Sequence, residues 1–292
     1  MGRRTSEAHP QMAARTDLAK KSSAERQIEM SAGIHDLAII ADGAKLGNDV
    51  QIGPFSVVGP DVELADGVKL HNGVTVSGRT KIGAGCEIFP GAVIGQPPQI
   101  LGVEDTPNCR LEIGARNIIR EHVTIHTGSP KLGELTYVGN DCLLMVGVHI
   151  AHDCHVEDKC VFANQVTLGG SVHVEEQVWM GGLAAVKQFS RVGKHAFIAG
   201  GAMIGRSVIP YGYVLGNRAY LLGLNLVGLK RRGFKRKNIH DLRAAYRMLF
   251  AKEGKFAERI ADTKETFSDS EEVRDILSFI ETYEELELTL PE

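Results

Sequence analysis

Four residues that could carry acid–base chemistry lie within one short stretch of this 292-residue chain: His149, His152, Asp153 and His155. A histidine beside a carboxylate can act as a general base, because the carboxylate fixes the ring tautomer and orientation. Gly170 and then Gln188 follow His152 at equal intervals along the chain. A glycine leaves its backbone N–H accessible, as an oxyanion hole requires. If the fold stacks positions separated by the interval from His152 to Gly170, the base, its carboxylate and the glycine N–H would meet. Together they predict transfer of an acyl group to a hydroxyl.

Two other kinds of site use the same residue types. Zinc binds histidine, and the γ-class carbonic anhydrases gather three histidines at a subunit interface. The candidates in this chain are His122, His126, His149, His152, His155 and His173. The metal-binding pattern of that class is not followed around these residues, so we expect no metal. A scaffold that binds a surface would repeat one residue type along the column, whereas this column reads His, Gly, Gln.

A six-residue repeat predicts the elements that position these residues. From Val138 to Val208 an aliphatic residue, or Phe162 or Met180 in its place, recurs every six residues, and a small or β-branched residue follows four places later. A period of six fits neither a helix nor an alternating strand. It fits short strands joined by tight turns, and three such hexads complete one triangular coil, which is the interval from His152 to Gly170. The repeat therefore predicts a hexapeptide-type parallel β-helix.

The same frame occupies two further tracts, Ile34 to Ile94 and the shorter Ile113 to Ile125. The three tracts differ in phase, which predicts that loops near 96–112 and 127–137 interrupt the coils. Together the tracts contain about 26 hexads, enough for roughly nine coils of a solenoid built from such repeats.

Composition and patterning divide the chain into three predicted parts: a disordered N-terminal extension at 1–33, the β-helix at 34–209 and a small α-helical C-terminal domain at 210–292. The first part is polar and mixed in charge. In the last part the hexads end, and helical periodicity begins. Asn238 is a candidate helix cap, and Ser268 with Glu271 resembles a capping box ahead of a second helix.

Composition also excludes several classes of function. The formal net charge of −3 gives no global attraction to nucleic acid or to an anionic membrane. No apolar run is long enough to cross a bilayer as a helix, so we expect no integral membrane segment, and no signal-peptide pattern is present. Four cysteines occupy small-residue positions of the repeat, which predicts buried free thiols and a reducing, cytoplasmic location: Cys86, Cys142, Cys154 and Cys160.

Three sequence strings carry a resemblance to a known family: His149-Ile-Ala-His-Asp-Cys154, Phe162-Ala-Asn-Gln-Val-Thr-Leu-Gly-Gly170 and Gly223-Leu-Asn-Leu-Val-Gly-Leu-Lys-Arg-Arg-Gly-Phe234. Over about residues 34–260 the chain resembles the acyl-ACP–UDP-N-acetylglucosamine O-acyltransferases. The resemblance implies a homotrimer of left-handed β-helices with active sites between subunits. It also implies transfer of a 3-hydroxyacyl chain from acyl carrier protein to the glucosamine 3-hydroxyl, the first step of lipid A synthesis, without a metal or organic cofactor.

Carried over to this sequence, the resemblance makes His152 the general base, Asp153 the residue that orients it and Gly170 the oxyanion-hole glycine. It assigns contacts with the UDP-sugar to His149, Gln188, Asn225, Arg231 and Arg232, with Arg232 at the diphosphate. Gly200 matches the position that limits acyl length. The basic cluster at 230–237 is predicted to dock the acidic carrier protein.

Four positions depart from the family pattern: Ile100, Ser171, Lys187 and Val227. They belong to the sugar-binding shell rather than to the base or the oxyanion hole. Two alternatives therefore stay open. The chain could acylate a different nucleotide sugar, for example a 3-amino analogue, or bind a nucleotide sugar or carrier protein without turnover. A CoA-dependent O-acetyltransferase on the same fold is disfavoured by the helical C-terminal part and the third string.

Overall fold

The computed structural model describes residues 33–103, 106–281 and 288–292. The predicted disordered extension, 1–33, lies outside these residues except for Gly33. From Ile39 to Leu224 the chain forms short strands joined by tight turns. Most strands have two residues, of which the first lies on the outer surface and the second is buried in the interior.

The strands stack into three sheets, A, B and C, which form the faces of a triangular prism. Sheet A contains β3 (Gln51–Ile52), β6 (Lys69–Leu70), β9 (Glu87–Ile88), β12 (Ile118–Ile119), β15 (Leu143–Leu144), β18 (Val161–Phe162), β21 (Trp179–Met180), β24 (Phe197–Ile198), β26 (Gly212–Leu215) and β27 (Tyr220–Leu224). Sheet B contains β1 (Ile39–Ile40), β4 (Val57–Val58), β7 (Thr75–Val76), β10 (Val93–Gln96), β13 (Thr124–His126), β16 (His149–Ile150), β19 (Thr167–Leu168), β22 (Ala185–Val186) and β25 (Met203–Ile204). Sheet C contains β2 (Lys45–Leu46), β5 (Glu63–Leu64), β8 (Arg79–Ile82), β11 (Arg110–Ile113), β14 (Leu135–Val138), β17 (His155–Val156), β20 (His173–Val174) and β23 (Arg191–Val192).

Apart from the antiparallel pair β26 and β27, neighbouring strands of one sheet are parallel and one coil apart. His149 of β16 pairs with Thr167 of β19, which lies three hexads later in the chain. Sheet B has nine strands within the described ranges, in agreement with the nine coils predicted from the repeat. The fold is thus the predicted left-handed parallel β-helix, followed by a few C-terminal helices.

The interior is a column of aliphatic and small side chains. Val156, at the inward strand position, and Cys160, four residues later in the turn, are both fully buried. All five cysteines are buried free thiols, as predicted for the four in the repeat. Many turns place a non-glycine residue in the left-handed region, including Asp153 at φ 58° and Ser171 at φ 57°. These turns point the preceding residue outward at a corner of the prism.

Two loops interrupt the coils where the change of phase predicted them. The first, 97–109, joins β10 to β11, and the second, 127–134, joins β13 to β14. The strands on either side are longer than a two-residue repeat requires, so both loops are slightly shorter than predicted. Both loops leave the prism at the corner between sheets B and C, here called the BC corner.

The three faces differ in the side chains that they present outward. Sheet A is apolar over its second half, with Ile118, Leu143, Val161, Trp179, Phe197 and Tyr213. Sheet B carries mostly small, polar and aliphatic residues, among them Thr124, His149, Thr167, Ala185 and Met203. Sheet C is charged or aromatic along its length, with Lys45, Glu63, Lys81, Glu112, Tyr137, His155, His173 and Arg191.

The strands continue past residue 209, the predicted end of the β-helix. β26 pairs in parallel with β24 and antiparallel with β27, so sheet A extends to Leu224. At the end of the chain Leu288 forms a parallel bridge with Ser207. These segments cover the last coil, as terminal caps do in solenoids. The division at 209 and 210 into two domains stays a prediction.

In the described part of the chain after residue 224 there are four helices: α1 (Leu226–Arg231), α2 (Arg236–Leu249), α3 (Phe256–Thr266) and α4 (Glu271–Glu281). The predicted cap at Asn238 is wrong, because α2 begins two residues earlier and the Asn238 side chain donates to Glu272 instead. The predicted capping box at Ser268 is also wrong, because α4 begins at Glu271, directly after Ser270. Among the described residues, no helix has the length and apolar character that a membrane crossing requires.

Candidate active site

The turn from β16 to β17 presents His152 and Asp153 at the BC corner. His152 Nδ1 lies 2.8 Å from Asp153 Oδ2. A carboxylate only accepts hydrogen bonds, so Nδ1 carries the proton and Nε2 has a free lone pair. Asp153 is in the left-handed region, which turns its carboxylate back toward the neighbouring ring. The arrangement predicted from adjacency in the sequence is therefore present.

The carboxylate of Asp153 is held by the loop 127–134. Its Oδ1 accepts the backbone N–H groups of Ser129 at 2.9 Å and Gly133 at 3.1 Å. Its Oδ2 accepts the Ser129 hydroxyl at 2.6 Å as well as His152 Nδ1. The Asp153 N–H donates to Thr136 Oγ1 at 2.8 Å. The side chain is 5% exposed, so these bonds satisfy a buried charge and fix its position.

Gly170 lies one coil after His152 and directly against its ring. The Ser171 N–H donates to the His152 carbonyl at 2.9 Å, which confirms the predicted stacking of positions one coil apart. A Cβ at residue 170 would lie 2.3 Å from His152 Cε1 and 2.5 Å from Nε2. Only glycine leaves room for the imidazole in this place. No hydrogen bond within the described chain uses the Gly170 N–H, which can therefore donate to a ligand.

His149 and His126 form the floor of the same corner on sheet B. His149 Nδ1 lies 2.7 Å from Thr124 Oγ1, and His126 Nδ1 lies 2.7 Å from the Pro97 carbonyl. The two rings meet edge to face with centroids 5.3 Å apart. Burial lowers the pKa of both rings, and for His149 the nearby His126 and His152 lower the pKa further. Both rings are neutral at pH 7 and can exchange hydrogen bonds with a polar ligand.

Gln188 and the departures at Ser171 and Lys187 also lie at the BC corner. The Phe189 N–H donates to the Gly170 carbonyl at 3.1 Å, which stacks Gln188 one coil beyond Gly170. Gln188 and Lys187 are exposed. The Ser171 hydroxyl is buried and has no hydrogen-bond partner in the described chain. Ile100 lies in the loop 97–109, which leaves from this corner.

Asn225 and Arg232 lie at a different corner, between sheets C and A. Asn225 caps α1 by accepting from the Gly228 N–H at 3.0 Å, and its Nδ2 donates to the His195 carbonyl at 2.9 Å. Arg232 Nη2 donates to the Gln177 carbonyl at 2.8 Å, while its Nη1 is buried and unpaired among the described residues. Burial lowers the pKa of Arg232. Within one chain the CA corner is separated from His152 by the full width of sheet C.

The remaining predicted residues lie apart from both groups. Gly200 occupies the third corner, between sheets A and B, where a Cβ would lie 3.2 Å from the Gly182 carbonyl oxygen. Arg231 is the last residue of α1 and is exposed, as is Val227 on the same helix. The predicted site residues are thus divided among the three corners of the prism.

The histidines weighed as zinc ligands separate into distinct places. His126 and His149 lie at the BC corner with His152, and His122 lies in a turn at the AB corner against Gly91. Among the described residues, one group brings three ligand-type side chains together, and it lies on the outer face of sheet C: His155, Glu157 and His173.

Sequence reasoning missed the residues that support the base. Ser129 and Gly133 anchor Asp153, and the Pro97 carbonyl holds His126. All three lie in the two loops that break the six-residue frame. The change of phase in the repeat was a signal that could have pointed to these residues, because it marks two loops that leave the prism at the corner that contains His152.

Two family models match the chain. Residues 208–285 match the model described as UDP N-acetylglucosamine O-acyltransferase, domain 2. Residues 43–78 and 135–170 match the bacterial transferase hexapeptide model of six repeats. The first match covers the end of the β-helix and the helices, and the second lies within the coils.

Two relatives are similar over nearly their whole length. The acyl-[acyl-carrier-protein]–UDP-N-acetylglucosamine O-acyltransferase of Caulobacter vibrioides is 54% identical over 259 residues, which cover 89% of this chain and 98% of the relative. The enzyme of the same name from Rhizobium johnstonii is 43% identical over 266 residues, which cover 90% of this chain and 97% of the relative.

Solved structures agree with the sequence comparison. The UDP-N-acetylglucosamine acyltransferase of Francisella novicida is 34% identical with a TM-score of 0.85, and the match covers 88% of this chain and 94% of that one. The corresponding structure from Bacteroides fragilis is 32% identical with a TM-score of 0.83, covering 88% and 99%.

Proposed function

The chain belongs to the acyl-ACP–UDP-N-acetylglucosamine O-acyltransferase family, and we propose that it transfers a 3-hydroxyacyl chain to the 3-hydroxyl of UDP-N-acetylglucosamine. This reaction begins lipid A synthesis. The observation that carries the proposal is the contact between His152, Asp153 and Gly170 at one corner, where a base, its orienting carboxylate and a free N–H meet.

His152 acts as the general base in the proposed mechanism. Its Nε2 takes the proton from the acceptor hydroxyl as that oxygen forms a bond to the thioester carbonyl carbon. The Gly170 N–H donates to the oxyanion of the tetrahedral intermediate. The intermediate collapses by breaking the C–S bond, and the proton on His152 passes to the leaving thiolate. Asp153 holds the ring in one tautomer throughout, and no cofactor takes part.

The division of the substrate-binding residues among corners favours a homotrimer. The apolar outer face of sheet A needs a cover, whereas the charged face of sheet C suits solvent. If sheet A of one protomer packs on sheet B of the next, three copies close into a ring. The AB corners with Gly200 then lie near the axis. The CA corner of one protomer, with Asn225 and Arg232, then lies beside the BC corner of the next, with His152.

In this arrangement each substrate contacts two protomers. His149 and Gln188 at the BC corner would bind the sugar with Asn225 of the neighbouring protomer. Arg231 and Arg232 of that neighbour would bind the diphosphate, because a guanidinium fork matches phosphate geometry. Gly200 would leave room for the acyl chain. Because Gly200 has no side chain, it does not project into the groove between two prisms, and even a narrow groove could hold the chain.

Acyl carrier protein is the donor named for the relatives, and the basic cluster at 230–237 is a suitable surface for it. Five of the six cations in this cluster are exposed, and they lie at the junction of α1 and α2 near the CA corner. Their field would steer an acidic partner toward the site. The five free thiols support a cytoplasmic location, where carrier protein and nucleotide sugars are available.

A transfer assay tests the proposal. Purified chain would be given several lengths of 3-hydroxyacyl-ACP with UDP-N-acetylglucosamine or its 3-amino analogue. We expect acylation of UDP-N-acetylglucosamine, and a loss of roughly 10²–10⁴-fold in kcat for His152→Ala, as for a missing general base. Acylation of the 3-amino analogue alone would instead identify a paralogue with a changed acceptor. Binding of the UDP-sugar without transfer would identify a non-catalytic protein, and full turnover by His152→Ala would exclude the mechanism.

A further inference from the structure

Away from the catalytic corner, His155, Glu157 and His173 have the composition of a metal site. Their ligand atoms all lie within 4.8 Å of one another on the outer surface of sheet C. The sequence shows the same feature as a repeat, because His-Val-Glu occurs at 155–157 and again at 173–175, one coil later. The proposed transfer reaction uses none of these side chains.

The three side chains are held in place by their neighbours. His155 and His173 pair on adjacent strands, with ring centroids 4.9 Å apart. Glu157 Oε1 lies 2.9 Å from His173 Nε2. Tyr137 stacks on the His155 ring at 4.7 Å, and the Glu176 N–H donates to Glu157 Oε2 at 3.2 Å. Such supporting contacts orient metal ligands in known sites.

The charges of the group suit a cation. The set joins the imidazoles of His155 and His173 to the carboxylate of Glu157. Neutral imidazole and carboxylate are the forms that bind metal. The next outward residue of sheet C after His173 is Arg191. Its guanidinium contacts Glu175, and this carboxylate balances the positive charge of Arg191.

We propose that His155, Glu157 and His173 bind a first-row transition-metal dication such as Zn²⁺ or Co²⁺, with water in the remaining coordination positions. Two imidazoles and one carboxylate form the ligand set of many open sites for such metals. His155 is exposed, so an ion can enter from solvent. A bound ion would join β17 to β20 across two coils, next to the corner that contains His152. The proposal is independent of the acyl transfer reaction.

Titration of chelator-treated, full-length protein with Co²⁺ tests the site. Binding would be followed by calorimetry and by the visible absorption of Co²⁺ with protein ligands. The wild-type chain should bind one Co²⁺ per protomer, and the His155→Ala/His173→Ala double variant should lose this binding. Glu157→Gln should weaken the affinity by more than the roughly 10–100-fold loss typical of an outer-shell partner. His240→Ala removes a histidine with a 78% exposed side chain on α2 and serves as the matched control.

Two results would overturn the proposal. The first is a wild-type chain that does not bind Co²⁺. The second is binding that survives in the double variant, which would locate the ion at other histidines such as His126 and His149. Each variant would be compared with wild type in elution volume and thermal midpoint without metal. If the double variant misfolds, His173→Gln keeps a polar side chain at the same place and should still lose the stoichiometric binding.

Discussion

The orientation of His152 depends on the carboxylate of Asp153, which several hydrogen bonds hold in place. Asp153 accepts one hydrogen bond from His152 and three from the loop 127–134, two of them from Ser129. A buried carboxylate with this many donors is held in one position, because any movement would break several charge-assisted hydrogen bonds. His152 is therefore positioned by a loop outside the repeat rather than by the β-helix alone.

Gly170→Ala should inactivate the transferase without unfolding it. The added Cβ would approach the His152 ring to 2.3 Å, and the ring cannot move far while Asp153 holds Nδ1. We expect kcat to fall by roughly 10²-fold or more, the order typical of losing a positioned base. The chain should stay folded, because alanine adopts the ordinary backbone conformation of residue 170. The close contact should lower the thermal midpoint, since overpacking of this kind costs about 1–3 kcal/mol. Steady-state kinetics and circular dichroism measure both effects.

Gly205→Ala is the matched control for this substitution. Gly205 lies at the same corner two coils further along, and a Cβ there would meet no atom within 4 Å. It should retain activity close to wild type. Full activity of Gly170→Ala would show that the transfer reaction does not depend on the position of the His152 ring against residue 170.

At the scale of the elements, the six-residue frame predicted the coils, the stacking of His152 on Gly170, and the places of both loops. The repeat predicts the strand register well, because one buried aliphatic residue per strand leaves little freedom in register. The conformations of the loops were not predictable, because they follow no period. The contacts of Ser129 and Gly133 with Asp153 were therefore missed. The helix starts predicted at Asn238 and Ser268 failed. Asn238 lies inside α2, where its side chain donates to Glu272 of α4, and α4 begins only at Glu271.

His195 connects the β-helix to the helical part and should make the chain sensitive to acid. Its ring stacks on Tyr211 and meets Phe234 edge to face, and its Nδ1 has no partner in the described chain. Burial, with the charges of Arg232 and Lys194, lowers its pKa from 6.5 to about 4. The unfolded chain binds this proton more readily, so stability is complete above pH 6.5 and falls as the pH decreases toward 4. At pH 4 the loss should be about 3 kcal/mol, at roughly 1.4 kcal/mol per pKa unit with half of the folded molecules already protonated.

His195→Phe isolates this contribution, because phenylalanine keeps the ring contacts and cannot be protonated. Phe189 has the same left-handed backbone in an equivalent turn, so the substitution fits the local geometry. Thermal midpoints at fixed protein concentration, measured from pH 4 to 7.5, should fall less steeply for the variant than for wild type. Parallel curves for the two proteins would show that His195 does not contribute to the acid sensitivity. His240→Ala, an exposed histidine, should follow the wild-type curve.

At the scale of the whole molecule, the residues of the proposed site are divided among the three corners of the prism. His152 and its supporting loop occupy the BC corner, whereas Asn225 and Arg232 occupy the CA corner. Sheet C, which separates these corners within one chain, is charged and suited to solvent. The apolar sheet A is suited to contact with another copy. In the proposed arrangement a protomer alone presents two incomplete halves of the site, and a ring of three copies would join unlike halves at each interface.

Mixing two inactive variants tests this arrangement directly. His152→Ala lacks the base, and Arg232→Ala lacks the proposed diphosphate contact, so each homotrimer should be inactive or nearly so. In a mixed ring, one interface always combines an intact BC corner with an intact CA corner. After unfolding and refolding an equal mixture, about one quarter of all sites should be intact in a closed three-fold ring. Transfer activity should rise to about this fraction of wild type, measured at equal total protein. A mixture that stays as inactive as its components, although two different affinity tags on the variants co-purify in one trimer, would mean that each site lies within a single chain.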